Sequence, residues 1–181
     1  MRLFVAVEIS PDIRRGITEF MNRMQPHLSN VRWVRPEGLH ITLKFLGNVV
    51  DERQSVIEGA LREVEAPGFS ISVRNIGLFP NARSPRVLWV GIESGPELAS
   101  LAKHVDGTLA SIGFEREKRP LTPHVTLARF KEGRRTQSVS SALPDSNPSF
   151  GTMTAKEFHL YESKLSPKGA SYIKLASFAL T

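Results

Sequence analysis

The sequence contains no cysteine among its 181 residues. Disulfide bonds, thiolate metal sites and cysteine nucleophiles are therefore excluded together, and cysteine usage carries no information about the redox compartment. No His-x-His pair is present either, which leaves a histidine-ligated metallohydrolase short of ligands for its ion. We therefore expect no metal.

Long apolar runs are also absent. No stretch approaches the roughly 20 apolar residues that a membrane-spanning helix needs. The apolar start of the chain, residues 1–7, is too short for a signal peptide, ends at Glu8 and has no small-residue cleavage site after it. We therefore expect a cytoplasmic protein with no membrane partner.

Long basic runs are absent too, although 24 Lys and Arg residues against 18 Asp and Glu residues give a net charge of +6. A positive excess favours anionic partners such as RNA, DNA, nucleotides or a membrane surface. Here the basic residues form short, scattered groups, at residues 14–15, 116–119 and 131–135. This distribution suits a small anionic ligand or a short contact with RNA better than a basic tail.

One short motif occurs twice, as His40–Leu43 (His-Ile-Thr-Leu) and His124–Leu127 (His-Val-Thr-Leu). Side chains alternate between the two faces of an extended strand. The histidine and threonine of each copy therefore point the same way, while the apolar residues point into a core. Two such strands facing each other would line a cleft with two imidazoles and two hydroxyls.

The order of predicted elements is also duplicated: strand, helix, motif strand, helix, strand. This order predicts an α+β fold in one domain (residues 1–181), with two lobes related by a pseudo-two-fold axis. We expect two mostly antiparallel sheets that face a central cleft, with helices packed outside. The predicted strands are 2–8, 39–46, 69–76, 86–92, 122–130, 154–162 and 172–180, with a short extended piece at 31–34, and the predicted helices begin at 10–11, 51, 95–96 and about 137. Apolar residues at helical spacing are expected on the inner side of the first two helices: Ile13, Ile17, Phe20, Met21 and Met24, and then Val56, Ile57, Leu61 and Val64.

Two histidines without cysteine favour acid–base chemistry over metal binding. Histidine has an unperturbed pKa near 6.5, so at neutral pH one imidazole can accept a proton while another donates one. That pair suits transfer at phosphorus, with a base on the attacking oxygen and an acid on the leaving oxygen. Thr42 and Thr126 can hydrogen-bond the remaining phosphate oxygens. Arg129 lies five residues after His124, an odd offset that faces the site only if the strand bends or bulges near Phe130, or at the strand end.

The two motifs and their surroundings resemble the two-histidine (2H) phosphoesterases, in particular the LigT/ThpR-type RNA 2′,3′-cyclic phosphodiesterases of bacteria and archaea. The resemblance covers nearly the whole chain. It rests on the segments 2–6, 40–47, 86–89, 123–129, 161–163 and 169–172. It implies the bilobal α+β fold that the duplicated order predicts.

The resemblance also implies a reaction, namely hydrolysis of a terminal 2′,3′-cyclic phosphate on RNA or a nucleotide to a 2′-phosphate. His40 would be the general acid that protonates O3′, and His124 the general base that activates water. Thr42, Thr126 and Arg129 would hold the phosphate oxygens, with no metal or cofactor. The expected partners are RNA ends or nucleotides that carry a 2′,3′-cyclic phosphate, and we expect a monomer.

Three alternatives stay open at this stage. The same site could join RNA ends by a 2′–5′ linkage, the reverse chemistry. The cleft could bind nucleotide or RNA without catalysis, although binding alone does not need both a proton donor and an acceptor. The acid and base roles could also be exchanged, because a pseudo-symmetric site can run in either direction.

Other residues have weaker assignments. His104 is expected on the solvent side of a helix and His159 on an exposed strand face. Lys44 alternates away from the His40 face of its strand. Phe45 and Trp33 are expected to pack in the core or at an edge, with base stacking as the alternative.

Overall fold

The computed structural model describes residues 1–131, 143 and 147–181. Within these residues the α-helices and strands follow one another in an α+β arrangement, as predicted. In chain order they are β1 (Arg2–Glu8), α1 (Pro11–Met24), β2 (Val31–Trp33), β3 (His40–Asn48), α2 (Gln54–Arg62), β4 (Phe69–Phe79), β5 (Val87–Ser94), α3 (Glu97–Ser111), β6 (His124–Phe130), β7 (Ser149–Ala155), β8 (Glu157–Ser166) and β9 (Gly169–Ala179).

The strand order shows the internal symmetry directly. Eight strands lie in the order β7-β4-β5-β6-β3-β1-β8-β9, and β2 adds to β6. We call β3-β1-β8-β9 the first lobe and β6-β5-β4-β7 the second. Every pairing is antiparallel, and the lobes meet where Ile41 of β3 lies opposite Val125 of β6. The two expected sheets are therefore the halves of one sheet, joined through the two motif strands.

Each lobe contains strands from both halves of the sequence. β4, the last strand of the first repeat, pairs with β5 and β7 in the second lobe. β8, from the second repeat, pairs with β1 in the first lobe. The repeated order of elements was predicted, but this exchange of strands was not. Neither half of the chain holds a complete lobe, and we infer from this that residues 1–181 fold as one domain.

Two details of the predicted elements are wrong. The predicted strand 154–162 is two strands, β7 and β8, separated by Lys156. Val56 was expected on the inner side of α2 but is 50% exposed, whereas Ile57 and Leu61 are buried. The short helix predicted near residues 137–142 lies outside the described residues.

The helices cover one face of the sheet and enclose the core. Ser10 caps α1 by accepting a hydrogen bond from the backbone N–H of Ile13, and Pro11 occupies the first helical position. The buried stripe of α1 follows the predicted helical spacing: Ile13, Ile17, Phe20, Met21 and Met24. α1 packs on β7 of the second lobe, and α3 packs on β3 of the first. The opposite face of the sheet is left open for a cleft.

None of the helices within residues 1–131 and 147–181 is both long enough and apolar enough to cross a membrane.

Candidate active site

A β-bulge lies at the same point of both motif strands. Val5 and Ala6 of β1 pair with Lys44 and Thr42, so Leu43 is an extra residue on β3. Leu88 and Trp89 of β5 pair in the same way with Ala128 and Thr126, which makes Leu127 the extra residue on β6. A bulge adds one residue to a strand and shifts the alternation of side chains after it.

The bulge explains how Arg129 reaches the site despite its odd offset from His124. After the bulge, two consecutive residues of each strand are buried: Leu43 and Lys44 on β3, and Leu127 and Ala128 on β6. The fifth residue after each histidine then turns back to the open face. That residue is Arg129 on β6, and its pseudo-equivalent on β3 is Phe45, which is 60% exposed.

A cavity of about 720 Å³ lies on the open face between the lobes. All five residues that the sequence assigned to the site line it: His40, Thr42, His124, Thr126 and Arg129. Phe45 and Trp33 also line the cavity, so both are available to a ligand. The cleft predicted from two short motifs is therefore present, with one His-Thr pair from each lobe.

His40 lies in an aromatic environment. Its ring centroid is 4.7 Å from that of Phe4 and 5.3 Å from that of Tyr172. The pKa of His40 is lowered to about 4, mainly by burial among these groups and to a smaller extent by the positive charge of protonated His124. A hydrogen bond to the Gly38 backbone acts in the opposite direction and does not offset the burial. A pKa this low makes His40 neutral at neutral pH.

His124 is held by a backbone hydrogen bond of the same kind. Its Nδ1 lies 2.7 Å from the carbonyl oxygen of Thr122, two residues earlier, as Gly38 is two residues before His40. A carbonyl oxygen can only accept a hydrogen bond, so Nδ1 carries the hydrogen in the neutral imidazole. Nε2 is then the nitrogen with a free lone pair. The ring of Phe79 meets His124 edge-on at 5.2 Å.

Lys44 lies outside the cleft, as predicted, and it forms a buried ion pair behind the sheet. Its ammonium group is buried beneath β3, where it donates to Asp106 Oδ1 at 2.6 Å and to the carbonyl oxygen of Glu115 at 2.8 Å. Asp106 belongs to α3, so this ion pair ties the bulged part of β3 to the helix behind it. The equivalent residue of β6 is Ala128, which packs in the core.

The assignment of His159 to an exposed strand face is wrong, because this side chain is only 2% exposed. Its Nδ1 lies 2.9 Å from Ser177 Oγ on β9, and its Nε2 lies 3.8 Å from Glu8. Strand alternation could not foresee that β8 is central in its lobe and covered on both faces. His104 is exposed on α3, as predicted.

Several residues of the cavity wall were missed from the sequence. The turn between β8 and β9 closes one side, where Arg35 Nη2 donates to the carbonyl oxygen of Lys168 at 2.8 Å. Burial raises the pKa of the Tyr172 phenol, which lies in the same wall. The wall residues that had no assignment from the sequence include four cations: Arg2, Arg32, Arg35 and Lys168. Residues 31–34 were expected to be extended, but their place beside β6 depends on the tertiary fold.

A duplicated antiparallel fold with one His-x-Thr pair per lobe, facing a shared cavity, defines the class of two-histidine phosphoesterases. The comparison with family models agrees with this class and with the duplication. The model described as LigT-like phosphoesterase matches the chain twice, at residues 7–89 and 90–172. The chain belongs to the LigT-like phosphoesterase family, and the predicted resemblance, fold class and enzyme class are confirmed.

Named relatives and solved structures give the same result. An Archaeoglobus fulgidus protein named RNA 2′,3′-cyclic phosphodiesterase is 41% identical over 179 residues, covering 98% of this chain and 99% of the relative. A Bacillus subtilis protein of the same name is 33% identical, covering 98% and 96%. The crystal structure of Escherichia coli LigT complexed with 3′-AMP matches with a TM-score of 0.82 at 29% identity, covering 99% and 98%.

Proposed function

We propose that this chain hydrolyses the 2′,3′-cyclic phosphate of an RNA end or a nucleotide and leaves a 2′-phosphate. The observation that carries the proposal is the convergence of two imidazoles, two threonine hydroxyls and one guanidinium on a single cavity. The imidazoles and hydroxyls come from equivalent positions of two lobes, so they can reach a phosphorus atom from two sides, and Arg129 comes from the second lobe alone. The names of the relatives, RNA 2′,3′-cyclic phosphodiesterase, support the same substrate.

In the proposed reaction His124 is the general base. Its Nε2 lone pair takes a proton from a water molecule as the water oxygen bonds to phosphorus. The P–O3′ bond breaks, and His40 donates a proton to the departing O3′. Thr42 and Thr126 donate hydrogen bonds to the non-bridging oxygens, and Arg129 adds its fork of charged donors.

The environment of the two histidines supports this direction. The leaving oxygen belongs to the ribose, so the acid must lie on the nucleoside side and the base on the water side. His40 has apolar neighbours on its side of the cavity, Phe4 and Phe45, against which a nucleoside can pack. His124 has the nitrogen lone pair that a base requires, and neutral His40 has one too, so the apolar neighbours of His40 are what favours this direction.

One observation favours the exchanged roles. A pKa of about 4 leaves His40 without a proton at neutral pH, whereas an acid must carry one. A bound phosphodiester anion counteracts this effect, because a nearby negative charge favours the protonated imidazole. We therefore keep His40 as the acid, on the condition that the substrate raises its pKa.

The proposed function is tested by incubating the protein with a nucleoside 2′,3′-cyclic phosphate in EDTA and following the products by phosphorus NMR. We expect the cyclic phosphate signal to be replaced by that of the nucleoside 2′-phosphate. A 3′-phosphate product would mean that O2′ leaves instead. If the folded protein binds the nucleotide saturably but forms no product, it is a binding module and not an enzyme. If activity is lost in EDTA, the reaction requires a metal. A cytoplasmic location and a monomeric state stay predictions.

A further inference from the structure

The cavity is lined by many more positive charges than the reaction needs. Within the described residues its wall contains five cationic side chains and no carboxylate: Arg2, Arg32, Arg35, Arg129 and Lys168. A cyclic phosphodiester carries one negative charge, and Arg129 with a protonated histidine already matches it. The remaining cations therefore lack a counterpart in the proposed substrate if that substrate is a nucleoside with one phosphate.

The cavity cations differ from many basic residues elsewhere on the surface. Arg14 pairs with Glu8, Arg74 with Glu93, and Lys174 with Glu8. By contrast, none of the five cavity cations forms an ion pair with a carboxylate in the part of the chain that the structure describes. Arg35 has a backbone carbonyl as its partner, which leaves its charge uncompensated.

Arg32 has the most informative position. It lies on β2 directly opposite Arg129 on β6, in an antiparallel pair. Directly opposite residues project from the same face of a sheet, and their Cα atoms are about 4.5–5.5 Å apart. Like charges at such positions destabilise the pair. The arrangement becomes favourable when anions lie between or beside the two guanidinium groups, which bind phosphate through paired donors.

We propose that Arg32 and Arg35 bind a second phosphate group of the substrate, next to the scissile phosphate held at Arg129. The site thus takes a 2′,3′-cyclic end that carries a further phosphate on its 5′ side, in preference to a cyclic nucleoside monophosphate. That phosphate is either the internucleotide linkage of an RNA chain or a terminal 5′-phosphate. This inference rests on the proposed function, because it names the substrate class of the same site.

The kinetic test compares three substrates that share the cyclic phosphate: the nucleoside 2′,3′-cyclic phosphate, its 5′-phosphorylated form and a dinucleotide with a cyclic end. We expect kcat/KM to rise about tenfold or more with the second phosphate, as for one charged hydrogen-bond partner. In Arg32→Gln and Arg35→Gln the ratio of kcat/KM with and without the second phosphate should fall toward one, mainly through a change in KM. Arg23→Gln, an exposed arginine in the last turn of α1 outside the cavity, is the control and should keep the ratio.

The salt dependence of kcat/KM gives an independent readout. Salt screens each charge–charge contact, so a substrate with one more phosphate contact should lose kcat/KM more steeply as the salt concentration rises. The two-phosphate substrates should therefore show a steeper slope than the cyclic nucleoside monophosphate, and Arg32→Gln should remove the difference. If kcat/KM rises with both two-phosphate substrates, any phosphate on the 5′ side is sufficient to occupy the second site. A gain with the dinucleotide alone assigns the site to the internucleotide linkage.

The inference and the proposed function can fail separately. Equal kcat/KM for all three substrates, or a ratio that survives in both arginine variants, overturns the second phosphate site while the hydrolytic function stands. If no substrate is hydrolysed, calorimetry with a nucleoside 2′-phosphate and a 2′,5′-bisphosphate tests binding without turnover. Tighter binding of the bisphosphate that Arg32→Gln abolishes would then support the phosphate site without the reaction.

Discussion

The two halves of the active site have the same backbone and different surroundings. Each has a His-x-Thr-Leu strand, a bulge at the leucine and a histidine associated with the backbone two residues earlier. His40, however, packs between aromatic rings and has a pKa of about 4, whereas His124 meets Phe79 edge-on. The fifth position is Phe45 in one half and Arg129 in the other. In the proposed mechanism the duplication supplies two proton-transfer groups, and their unequal neighbours give the transfer a direction.

The largest expected effect comes from removing either histidine. His40→Ala and His124→Ala should each lower kcat on a cyclic nucleotide by about 10²–10⁴-fold, the usual contribution of one acid or base. Thermal unfolding should still be cooperative in both. His104→Ala, on the exposed face of α3, is the matched control and should retain activity. Normal turnover by the double variant would refute the mechanism.

A substrate that needs no acid separates the two histidines. In a 3′-deoxynucleoside 2′-(p-nitrophenyl phosphate), nitrophenolate leaves in place of O3′ and is stable without a proton. His40→Ala should then approach the wild-type rate within about tenfold, because the acid has lost its task. His124→Ala should remain impaired, because water must still lose a proton. The opposite pattern would assign the base to His40.

The next largest effect is on the free energy of unfolding. It tests a difference between the lobes, because a buried ion pair lies behind β3 and an alanine lies at the equivalent place behind β6. Asp106→Asn leaves the ammonium of Lys44 buried without its main charged partner. Ala128, the equivalent residue of the other lobe, is apolar and requires no partner. We expect the free energy of unfolding to fall by about 3 kcal/mol, the lower end for a broken buried pair, since Glu117 stays 3.6 Å from Lys44. Lys118→Gln breaks an exposed pair with Glu115. That control should cost less than about 1 kcal/mol in urea denaturation.

Arg129 should matter less than the histidines. Arg129→Gln removes a charged hydrogen-bond partner of the phosphate and should lower kcat/KM by about 10–100-fold. Arg129→Lys should recover only part of this loss, because an ammonium group lacks the planar fork of donors. An unchanged kcat/KM in Arg129→Gln would mean that the bulge brings Arg129 to the cavity wall without bringing it to the substrate.

The smallest effect is a shift in the titration of His40. By NMR its imidazole should titrate near pH 4 in the free protein, and a bound nucleoside 2′-phosphate should raise this pKa. The unfolded chain takes up the proton near pH 6.5. Titration of His40 therefore lowers the free energy of unfolding as the pH falls from about 6.5 to 4, because the unfolded chain binds the proton first. Above about pH 6.5 it has no effect on stability. A pKa that phosphate leaves unchanged would favour His40 as the base.

Much of this site could be predicted from the sequence because its signals are local. The spacing of His40 and Thr42 places both on one face of a strand, and the second copy does the same. The helices were identified by their apolar spacing and, in α1, by Ser10 and Pro11. Other features depend on partners distant in the chain. His159 is buried because β8 lies between β1 and β9, and Arg32 reaches the cavity because β2 pairs with β6.

The sequence by itself determined the two histidine–threonine pairs, the duplicated order of elements and the α+β class, since each follows from side-chain alternation or short-range spacing. Only the tertiary structure decided the rest. The register between β1 and β3, and between β5 and β6, creates the bulges that return Arg129 and Phe45 to the cleft. The exchange of β4 and β8 between lobes sets the neighbours of each histidine. Burial and pairing between distant strands cannot be read from local patterns, and they make two nearly identical motifs chemically different.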